Sequence, residues 1–407
     1  MNCLFINTNY RVGGAALAAS RLADGLNRLS IDIRWYVKNS NVSNSDIYIF
    51  ERKITDRIIA FPYKGRVTYS PYILSTKYIA NKPRLKDIDL LHFHNLHGDY
   101  FNYKAISRLT ENKPAIWTLH DMWSFTGHCA YSKACERWKT GCGNCPDLNE
   151  YPAVRTDHTR SEWFAKSRAV RRSNLHIVTP SVWLGKLAQE SFLNLHPISV
   201  IPYGLDTECF SPKPKNEVRR KLGISESQFT VLLCSADLSD PRKPQRVLCE
   251  AINQVSAQKG FPIQVITFGN GSIREHLDSN IVLHEFGYID SEEKKADLFS
   301  AADVFLFASK ADNLPLVIQE SLSCGTSVIA NDVGGIPDMV IDGETGWLLG
   351  DMNVTSYSEA IFQAYSNKSH RERLSIGARR HAVDHYSLLE NAEKYKAIYE
   401  NLLKNKK

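Results

Sequence analysis

The chain has 407 residues, of which 43% are hydrophobic and 23% are charged. This length exceeds what one hydrophobic core usually organises, so we expect two domains. No apolar run approaches the roughly 20 residues that span a bilayer, and a net charge of +6 is too small to indicate nucleic-acid binding. The first residues show neither a basic leader nor a small-residue cleavage site, which predicts a cytoplasmic protein.

Short apolar, β-branched runs alternate with helical stretches twice along the chain, as in βαβ units around a parallel sheet. In the first half, the predicted strands cover residues 3–7, 31–37, 88–94, 115–119, 175–179 and 198–201. In the second half, they cover residues 230–234, 263–268, 281–283, 304–308, 327–330 and 347–349. Residues 203–215 contain a glycine and two prolines and form the candidate hinge. We therefore predict an α/β protein with two doubly wound, Rossmann-like domains facing across a cleft.

The first predicted strand is followed by Gly13 and Gly14, after which an apolar stripe at helical spacing begins. Glycines at this place let backbone N–H groups approach an anion at the positive end of a helix. A tight turn from strand to helix needs glycine as well, so the pair fits both interpretations.

Histidines follow two neighbouring predicted strands of the first half. His120 comes directly after the fourth strand, where it can donate to a sugar hydroxyl or, when protonated, stabilise developing charge. His92, His94 and His97 have a metal-like spacing but no evident carboxylate or cysteine partner. We interpret these three as polar lining of the cleft.

The second half contains a polar turn that leads into a helix after the strand 304–308. Asn313 is the predicted helix cap, Pro315 falls in the first turn, and Glu320 lies further along the same helix. A carboxylate at that place can accept hydrogen bonds from the two vicinal hydroxyls of a ribose. A solvent-facing glutamate is the alternative.

Arg242 and Lys243 follow the first strand of the second half. Their adjacent charges complement a diphosphate, although two exposed surface residues would show the same pattern. Gly334 and Gly335 repeat the arrangement of strand end, glycine pair and helix start.

In their order, these segments resemble the retaining glycosyltransferases of family four, also called group 1, which have the GT-B fold. The resemblance runs over nearly the whole chain and is most specific in the second half. Six segments carry it: residues 269–271, 286–288, 302–304, 312–320, 323–330 and 334–337. It implies a first domain of residues 1–205 on the acceptor side and a donor-binding domain of residues 206–385. It also implies a C-terminal helix of residues 386–407 that packs back on the first domain.

The resemblance also implies roles for individual residues. Those matching the catalytic positions are His120 and Asp312. Those matching the donor-binding positions are Gly13, Gly14, Arg242, Lys243, Asn313, Leu314, Pro315 and Glu320. Two departures stand out: Asp312 replaces the first glutamate of the family's Glu-x7-Glu motif, and the arginine expected at 236–237 is absent, with Arg242 as the candidate substitute.

The implied activity is the transfer of a hexose, with retention and without a catalytic metal, from a UDP- or GDP-linked sugar. The implied acceptor is a glycan or a lipid-linked oligosaccharide, in surface-polysaccharide or O-antigen biosynthesis. A non-hydrolysing nucleotide-sugar epimerase and an inactive nucleotide-sugar-binding module remain the alternatives.

Four of the nine cysteines cluster soon after His120, as Cys129, Cys135, Cys142 and Cys145. The last two form a Cys-x2-Cys turn with an intervening glycine, which can aim two thiolates at one ion. The cluster predicts a structural zinc site. Reduced cysteines packed as small hydrophobes, an iron–sulfur cluster and two disulfides are the alternatives.

One further segment mixes aromatic and basic side chains: Trp163, Phe164, Lys166, Arg168, Arg171 and Arg172. Such a helix can lie on the inner, anionic face of a cytoplasmic membrane as a peripheral contact. A solvated helix with two residues packed inward is the alternative.

Overall fold

A computed structural model describes residues 1–42, 44–50, 54–60, 73, 76, 79, 86–259 and 261–404. The end of the predicted C-terminal segment, residues 405–407, lies outside the described residues. The chain divides into two compact units, one formed by Met1–Gly204 with Leu389–Lys407 and the other by Leu205–Leu388. Among the helices described, none is long and apolar enough to cross a membrane.

The first unit contains a parallel sheet of seven strands in the order β3-β2-β1-β4-β5-β6-β7. The strands are β1 Asn2–Asn9, β2 Asp32–Asn39, β3 Ile47–Ile49, β4 Leu90–Phe93, β5 Ala115–Thr118, β6 Leu175–Thr179 and β7 Ile198–Val200. Its α-helices are α1 Gly14–Arg28, α2 Ile54–Ala60, α3 Ile106–Thr110, α4 Thr159–Arg171 and α5 Val182–Glu190. All six strands predicted for this half are present, and the edge strand β3 was missed because three residues carry too little alternation.

The second unit repeats this plan with six parallel strands in the order β10-β9-β8-β11-β12-β13. The strands are β8 Phe229–Asp237, β9 Ile263–Asn270, β10 Val282–Glu285, β11 Val304–Phe307, β12 Val328–Asn331 and β13 Gly346–Leu349. The α-helices of the second unit are α6 Lys215–Leu222, α7 Gln245–Lys259, α8 Glu292–Ala301, α9 Leu316–Ser323, α10 Val354–Ser366 and α11 Lys368–Tyr386, and the last helix of the chain is α12 Leu388–Lys404. In both sheets the chain starts centrally, moves to one edge and returns to the other side, so the prediction of two doubly wound α/β units is confirmed.

The strands of the first sheet are buried on both faces. Along β1, Leu4 and Ile6 enter one apolar cluster, whereas Cys3 and Phe5 enter the cluster on the opposite face. This alternation follows from the two-residue period of a strand. Covering both faces explains why the strands have continuous apolar runs that made them recognisable in the sequence.

The last helix belongs mainly to the first unit. Ala392, Tyr395 and Tyr399 of α12 are buried in the same cluster as Cys3 and Phe5. The helix predicted from residue 386 begins instead at Leu388, after α11 ends at Tyr386.

Candidate functional site

The turn between β1 and α1 places both predicted glycines at the start of a helix. Gly13 is the N-cap residue with φ 88°, a conformation that favours glycine, and no side chain within the described residues caps the helix. A Cβ atom added to Gly13 or Gly14 would meet none of the described atoms within 4 Å. The first N–H groups of α1 therefore border open space, where an anion could approach.

His120 lies in a buried row of three ring side chains in the first unit. His94 Nδ1 lies 3.1 Å from His120 Nε2, and His120 Nδ1 lies 2.7 Å from the hydroxyl of Tyr203. All three rings stack in sequence along this row. Burial lowers the pKa of His120 to about 4, so the ring is neutral near pH 7 and the protonated form considered from the sequence is not populated.

The tautomers of this row follow from the position of His94. Among the described residues, the buried His94 Nε2 has no hydrogen-bond partner. A buried N–H without an acceptor costs more than a buried lone pair, so the proton of His94 belongs on Nδ1. His94 then donates to His120 Nε2, and His120 donates from Nδ1 to the hydroxyl of Tyr203.

Two neighbouring histidines differ from the polar cleft lining that we expected. His92 is a core residue with 0% exposure, and it contacts Tyr399 of α12 at 2.6 Å and Thr118 at 2.8 Å. His97 has the carboxylate partner that the sequence did not reveal, since its Nε2 lies 3.3 Å from Asp121 Oδ2. Strand spacing placed His92 and His94 on one face but could not show that α12 covers it.

In the second unit, the structure brings two predicted site residues together. Lys243, after β8, extends its Nζ to 3.4 Å from Asp312 Oδ2, after β11, and both side chains are 18% exposed. The ammonium also lies 4.7 Å from the ring centre of Phe307. These strands are neighbours in the sheet, so the pair stands at the carboxyl edge, where doubly wound folds bind ligands.

Arg242 is engaged differently from its neighbour. Its Nη2 lies 2.8 Å from Asp240 Oδ2, and its backbone N–H donates to Asp240 Oδ1. The guanidinium charge is therefore partly compensated within its own loop, which weakens the case for Arg242 as a replacement for the absent arginine.

Close backbone packing fixes the turn at Asp312. A Cβ atom at Gly334 would lie 1.8 Å from the backbone oxygen of Asp312, and Gly335 N–H donates to that oxygen at 3.2 Å. Asn331, which the sequence analysis did not select, exchanges hydrogen bonds with the backbone of Ser309. The glycine pair thus supports the Asp312 turn, and Asn331 supports the segment before it.

The helix that follows this turn begins later than predicted. Leu316 is the first residue of α9, and Pro315, not Asn313, occupies the N-cap position. Proline has no side-chain acceptor, so the N-cap residue itself does not cap the helix. Asn313 and Leu314 are buried beneath the turn, with 2% and 4% exposure. The positive end of the α9 dipole therefore stands at the turn that carries Asp312.

Glu320 lies inside α9 and is only 2% exposed, so the solvent-facing alternative is wrong. Its charge acts on the thiols of Cys234 and Cys324, and burial together with Glu320 raises the pKa of both. A carboxylate this deep is rare without a functional or structural partner.

The four clustered cysteines line one small cavity of about 20 Å³ in the first unit, together with His128. All four are free thiols. Burial raises the pKa of Cys129 to about 12 and that of Cys142 to about 11. Within the parts of the chain that the structure describes, no three His, Cys, Asp or Glu side chains are already arranged around a metal position.

The aromatic and basic segment forms α4 and divides between two environments. Trp163 is buried and donates to the backbone oxygen of Trp138, and Lys166 is buried with 2% exposure. Phe164 remains 47% exposed, beside the guanidinium of Arg160. Two of the six side chains named from the sequence, Trp163 and Lys166, thus pack inward, and a smaller outer face remains.

Two family models match the chain. The model of the glycosyltransferase family 4 matches residues 12–208, and that of the glycosyl transferases group 1 matches residues 229–367. WcaC of Escherichia coli (strain K12), a glycosyl transferase whose name assigns it to colanic acid biosynthesis, is 32% identical over 255 residues. That match covers 59% of each of the two proteins. D-inositol 3-phosphate glycosyltransferase of Corynebacterium diphtheriae is 22% identical over 95% of this chain and 89% of its own.

Solved structures agree with both units of the fold. The superposition on sucrose-phosphate synthase from Thermosynechococcus elongatus covers 100% of both chains, with a TM-score of 0.70 and 16% sequence identity. Anabaena HepE, solved in complex with UDP-glucose, covers 98% of this chain and 100% of its own with a TM-score of 0.68 and 16% identity. These likenesses show the fold, and the two family models fall one on each half of the chain. The first half of the chain is therefore similar to the family 4 glycosyltransferases, and the second half is similar to the group 1 glycosyl transferases.

Proposed function

We propose that this protein is a glycosyltransferase, which transfers a hexose from a nucleoside-diphosphate sugar to a glycan or a lipid-linked oligosaccharide with retention of configuration and without a catalytic metal. The observation that carries the proposal is the pairing of Lys243 with Asp312 at the carboxyl edge of the second sheet. A cation held at this place by a carboxylate can exchange that partner for a donor diphosphate.

The N-terminus of α9 supports the same assignment. Its N-cap is Pro315, which has no side-chain acceptor and so does not itself cap the N–H dipoles of the first turn. Fixed dipoles and one ammonium stabilise the charge that develops on a departing diphosphate, and neither has to reorganise when the bond breaks. Asn313 and Leu314 hold this turn from below, which gives them a supporting part in donor binding.

Glu320 is our candidate for the ribose of the donor. A buried carboxylate accepts stronger hydrogen bonds than an exposed one, because water competes less. Asp312 is the candidate for the hydroxyls of the transferred sugar. Gly13 and Gly14 offer backbone N–H groups for the diphosphate from the first unit.

His120 is the candidate on the acceptor side. Both of its ring nitrogens have partners inside the first unit, and it is neutral near pH 7. We propose that it acts through Tyr203. The Tyr203 hydroxyl accepts a hydrogen bond from His120 Nδ1–H, and this bond polarises the tyrosine O–H toward the acceptor substrate.

The proposed chemistry needs no external base. The acceptor hydroxyl attacks the face from which the nucleotide leaves, and the departing phosphate oxygen takes the hydroxyl proton. HepE of Anabaena has been solved with UDP and with UDP-glucose, so UDP-linked hexoses are the first donors to test. WcaC carries colanic acid biosynthesis in its name, which supports surface-polysaccharide or O-antigen assembly as the pathway.

The test is calorimetric titration of UDP into the wild type, Lys243→Ala and the neighbouring control Lys310→Ala. Loss of a charge-assisted contact is worth about 1.5–3 kcal/mol, so we expect Lys243→Ala to weaken binding roughly 10- to 100-fold. Lys310 is exposed, and its substitution should leave the affinity within about twofold. Equal affinities in the wild type and in folded Lys243→Ala would remove the donor-site assignment.

Transfer itself is tested with UDP-hexoses and lipid-linked acceptors, with NMR of the product reporting the anomeric configuration. Retention and full activity after brief EDTA treatment are expected. An inverted product, or strict dependence on added magnesium or manganese, would contradict the proposed reaction. Epimerised donor without transfer would favour the epimerase alternative, and neither product would favour a binding module.

The outer face of α4 supports peripheral membrane contact on the cytoplasmic side. Phe164, Arg168, Arg171 and Arg172 are exposed there. Co-sedimentation with anionic vesicles should fall when Phe164 is replaced by Ser, and unchanged binding would remove the contact.

A further inference from the structure

We propose that the cavity formed by Cys129, Cys135, Cys142 and Cys145 is a zinc site that braces the loop after β5, independently of donor binding in the second unit. The four thiols line one pocket of about 20 Å³, which has room for one water or one ion. No three His, Cys, Asp or Glu side chains of the described residues are yet arranged around one metal position, so the sulfurs have to turn inward when the ion binds.

The backbone turns the thiols toward this cavity. Residues Gly141, Cys142, Gly143 and Asn144 all have positive φ, with values of 143°, 53°, 93° and 47°. Left-handed conformations at a cysteine and an asparagine persist only where the surroundings enforce them. This turn carries Cys142 and Cys145 to the same cavity, and Gly127 N–H already donates to Cys142 Sγ at 3.2 Å. An N–H aimed at sulfur stabilises the thiolate form that metals require.

His128 holds the remaining side of the cavity. Its Nδ1 lies 3.0 Å from the backbone oxygen of Pro152, so Nδ1 carries the proton and the lone pair is on Nε2. That nitrogen lies 3.4 Å from Cys145 Sγ. In the metal-free chain the Cys145 S–H therefore donates to His128 Nε2 and is held at the cavity, and this contact ends when the thiol loses its proton.

A buried cation completes the charge arrangement. Lys166 is 2% exposed, and its Nζ donates to the backbone oxygens of Trp123 and Thr126, on the segment that leads to Cys129. Zinc with four thiolates carries a net charge of −2, and a fixed positive charge nearby offsets part of the cost of burying it. On binding, the four thiols release their protons to solvent and their sulfurs turn onto the ion, forming bonds of about 2.3 Å.

The first measurement is the metal content of full-length protein expressed and purified without chelator. We expect about one zinc per chain in the wild type and in the control Cys209→Ser, whose half-buried thiol lies in the second unit. Cys142→Ser and Cys145→Ser should contain less than about a tenth of that amount. Zinc-free wild type that takes up no added Zn²⁺, or full zinc content in both cysteine variants, would overturn the proposal.

Because a cysteine variant could fail to fold, a second measurement uses the wild type alone. Replacement of the bound ion by Co²⁺ should give the intense visible spectrum of a tetrahedral thiolate site. X-ray absorption at the zinc edge should show sulfur neighbours at about 2.3 Å. A first shell with oxygen and nitrogen only, or an intact mass that shows two disulfides, would contradict the site.

The role of His128 has its own readout. His128→Ala removes an acceptor of the Cys145 S–H that exists only before the ion binds, so the variant should still contain about one zinc per chain. Loss of the zinc in this variant would contradict a ligand set of four cysteines. UDP affinity should be unchanged in all of these variants, so failure of the zinc site and failure of the donor site are separately visible.

Discussion

Hydrogen-bond direction determines what His120 can do. The tautomer that leaves a bare lone pair on His94 Nε2 forces His120 to accept at Nε2 and to donate from Nδ1 to Tyr203. In the opposite arrangement, His94 would bury an N–H that has no acceptor among the described residues. Such a group costs about 1–3 kcal/mol, which is enough to fix the order of donors along the row.

We predict that His120 is a neutral Nδ1–H imidazole from about pH 5 upward, since burial lowers its pKa to about 4. The ¹⁵N chemical shifts of selectively labelled protein report both the tautomer and the protonation state. A dominant Nε2–H form, or titration near pH 6.5, would contradict the proposed row.

The same row predicts how substitutions of His94 behave. His94→Leu removes the donor to His120 Nε2 and should lower kcat more than it raises KM, whereas His94→Gln can still donate through its amide and should retain more of the turnover. Tyr203→Phe and His120→Ala should lower kcat by similar factors, because each removes the same hydrogen bond. Equal turnover in the Leu and Gln variants would reduce His94 to a packing role.

At the scale of elements, the segment after β12 supports the turn after β11 by backbone contact. Gly334 has φ 61° and stands against the backbone oxygen of Asp312, whereas Gly343 has φ 72° and a Cβ there would meet none of the described atoms within 4 Å. The two glycines share a left-handed conformation that would strain an alanine, but they differ in the space around them.

We predict that Gly343→Ala costs about 1–2 kcal/mol of unfolding free energy through backbone strain alone. Gly334→Ala should cost a further 1–3 kcal/mol, because a peptide oxygen has to move, and should also weaken UDP binding. Urea unfolding and calorimetry on both variants give the comparison. Similar losses for the two variants would mean that the close approach is not important.

Asp303 belongs to the segment 302–304, one of the six that resemble the family, and its contacts hold two elements of the second unit together. Asp303 lies directly before β11 and binds Arg219 at 2.7 Å and Lys215 at 2.9 Å, both from α6. Burial alone would raise the pKa of Asp303, but the charges of Lys215 and Arg219 outweigh it and lower the pKa to about 2. The segment 302–304, which carried part of the family resemblance, thus ties α6 to the second sheet.

Asp303→Asn should cost about 3–5 kcal/mol, because Arg219 would be left with 4% exposure and no carboxylate. In the wild type, a lowered carboxyl pKa stabilises the fold fully above about pH 4 and loses that contribution, about 2 kcal/mol, as the pH falls to about 2. Urea unfolding at a series of pH values should show this loss in the wild type and not in the variant. If the free energy of unfolding fell equally with pH in the wild type and in the variant, the loss would come from groups other than Asp303.

At the scale of the whole molecule, the two units differ in how many buried histidines resist protonation. Burial lowers the pKa of several in the first unit: His92, His94, His120, His176 and His196. In the second unit the lowered values belong to His284 and His381. Below about pH 6.5 the unfolded chain binds protons that these rings exclude, so the unfolding free energy falls as the pH falls.

We therefore predict a steeper loss of stability between pH 6.5 and 5 in the first unit. Trp347 is the tryptophan of the second unit, whereas the other six lie in the first, so fluorescence of Trp347→Phe reports the first unit. The difference between wild-type and variant signals then reports the second unit. Parallel shifts of the two urea midpoints with pH would contradict the prediction.

The sequence by itself determined the layers of the fold and most of the strands. Buried parallel strands are continuous apolar runs, and this signal survives without any knowledge of the neighbours. The three-residue strand Ile47–Ile49 was missed because so short a run carries no period. Chain order also located the segments of the candidate donor site, because ligands bind at the carboxyl ends of such strands.

Only the tertiary structure decided which partners these residues meet. Lys243 and Asp312 are distant in the chain and come together because β8 and β11 are neighbours in the sheet. The burial of Glu320, the covering of His92 by α12 and the hydrogen bond between His94 and His120 depend on the same long-range packing. Local sequence determines which strand, turn or helix carries a side chain. The protonation, tautomer and partners of that side chain depend on atoms that only the folded chain brings near.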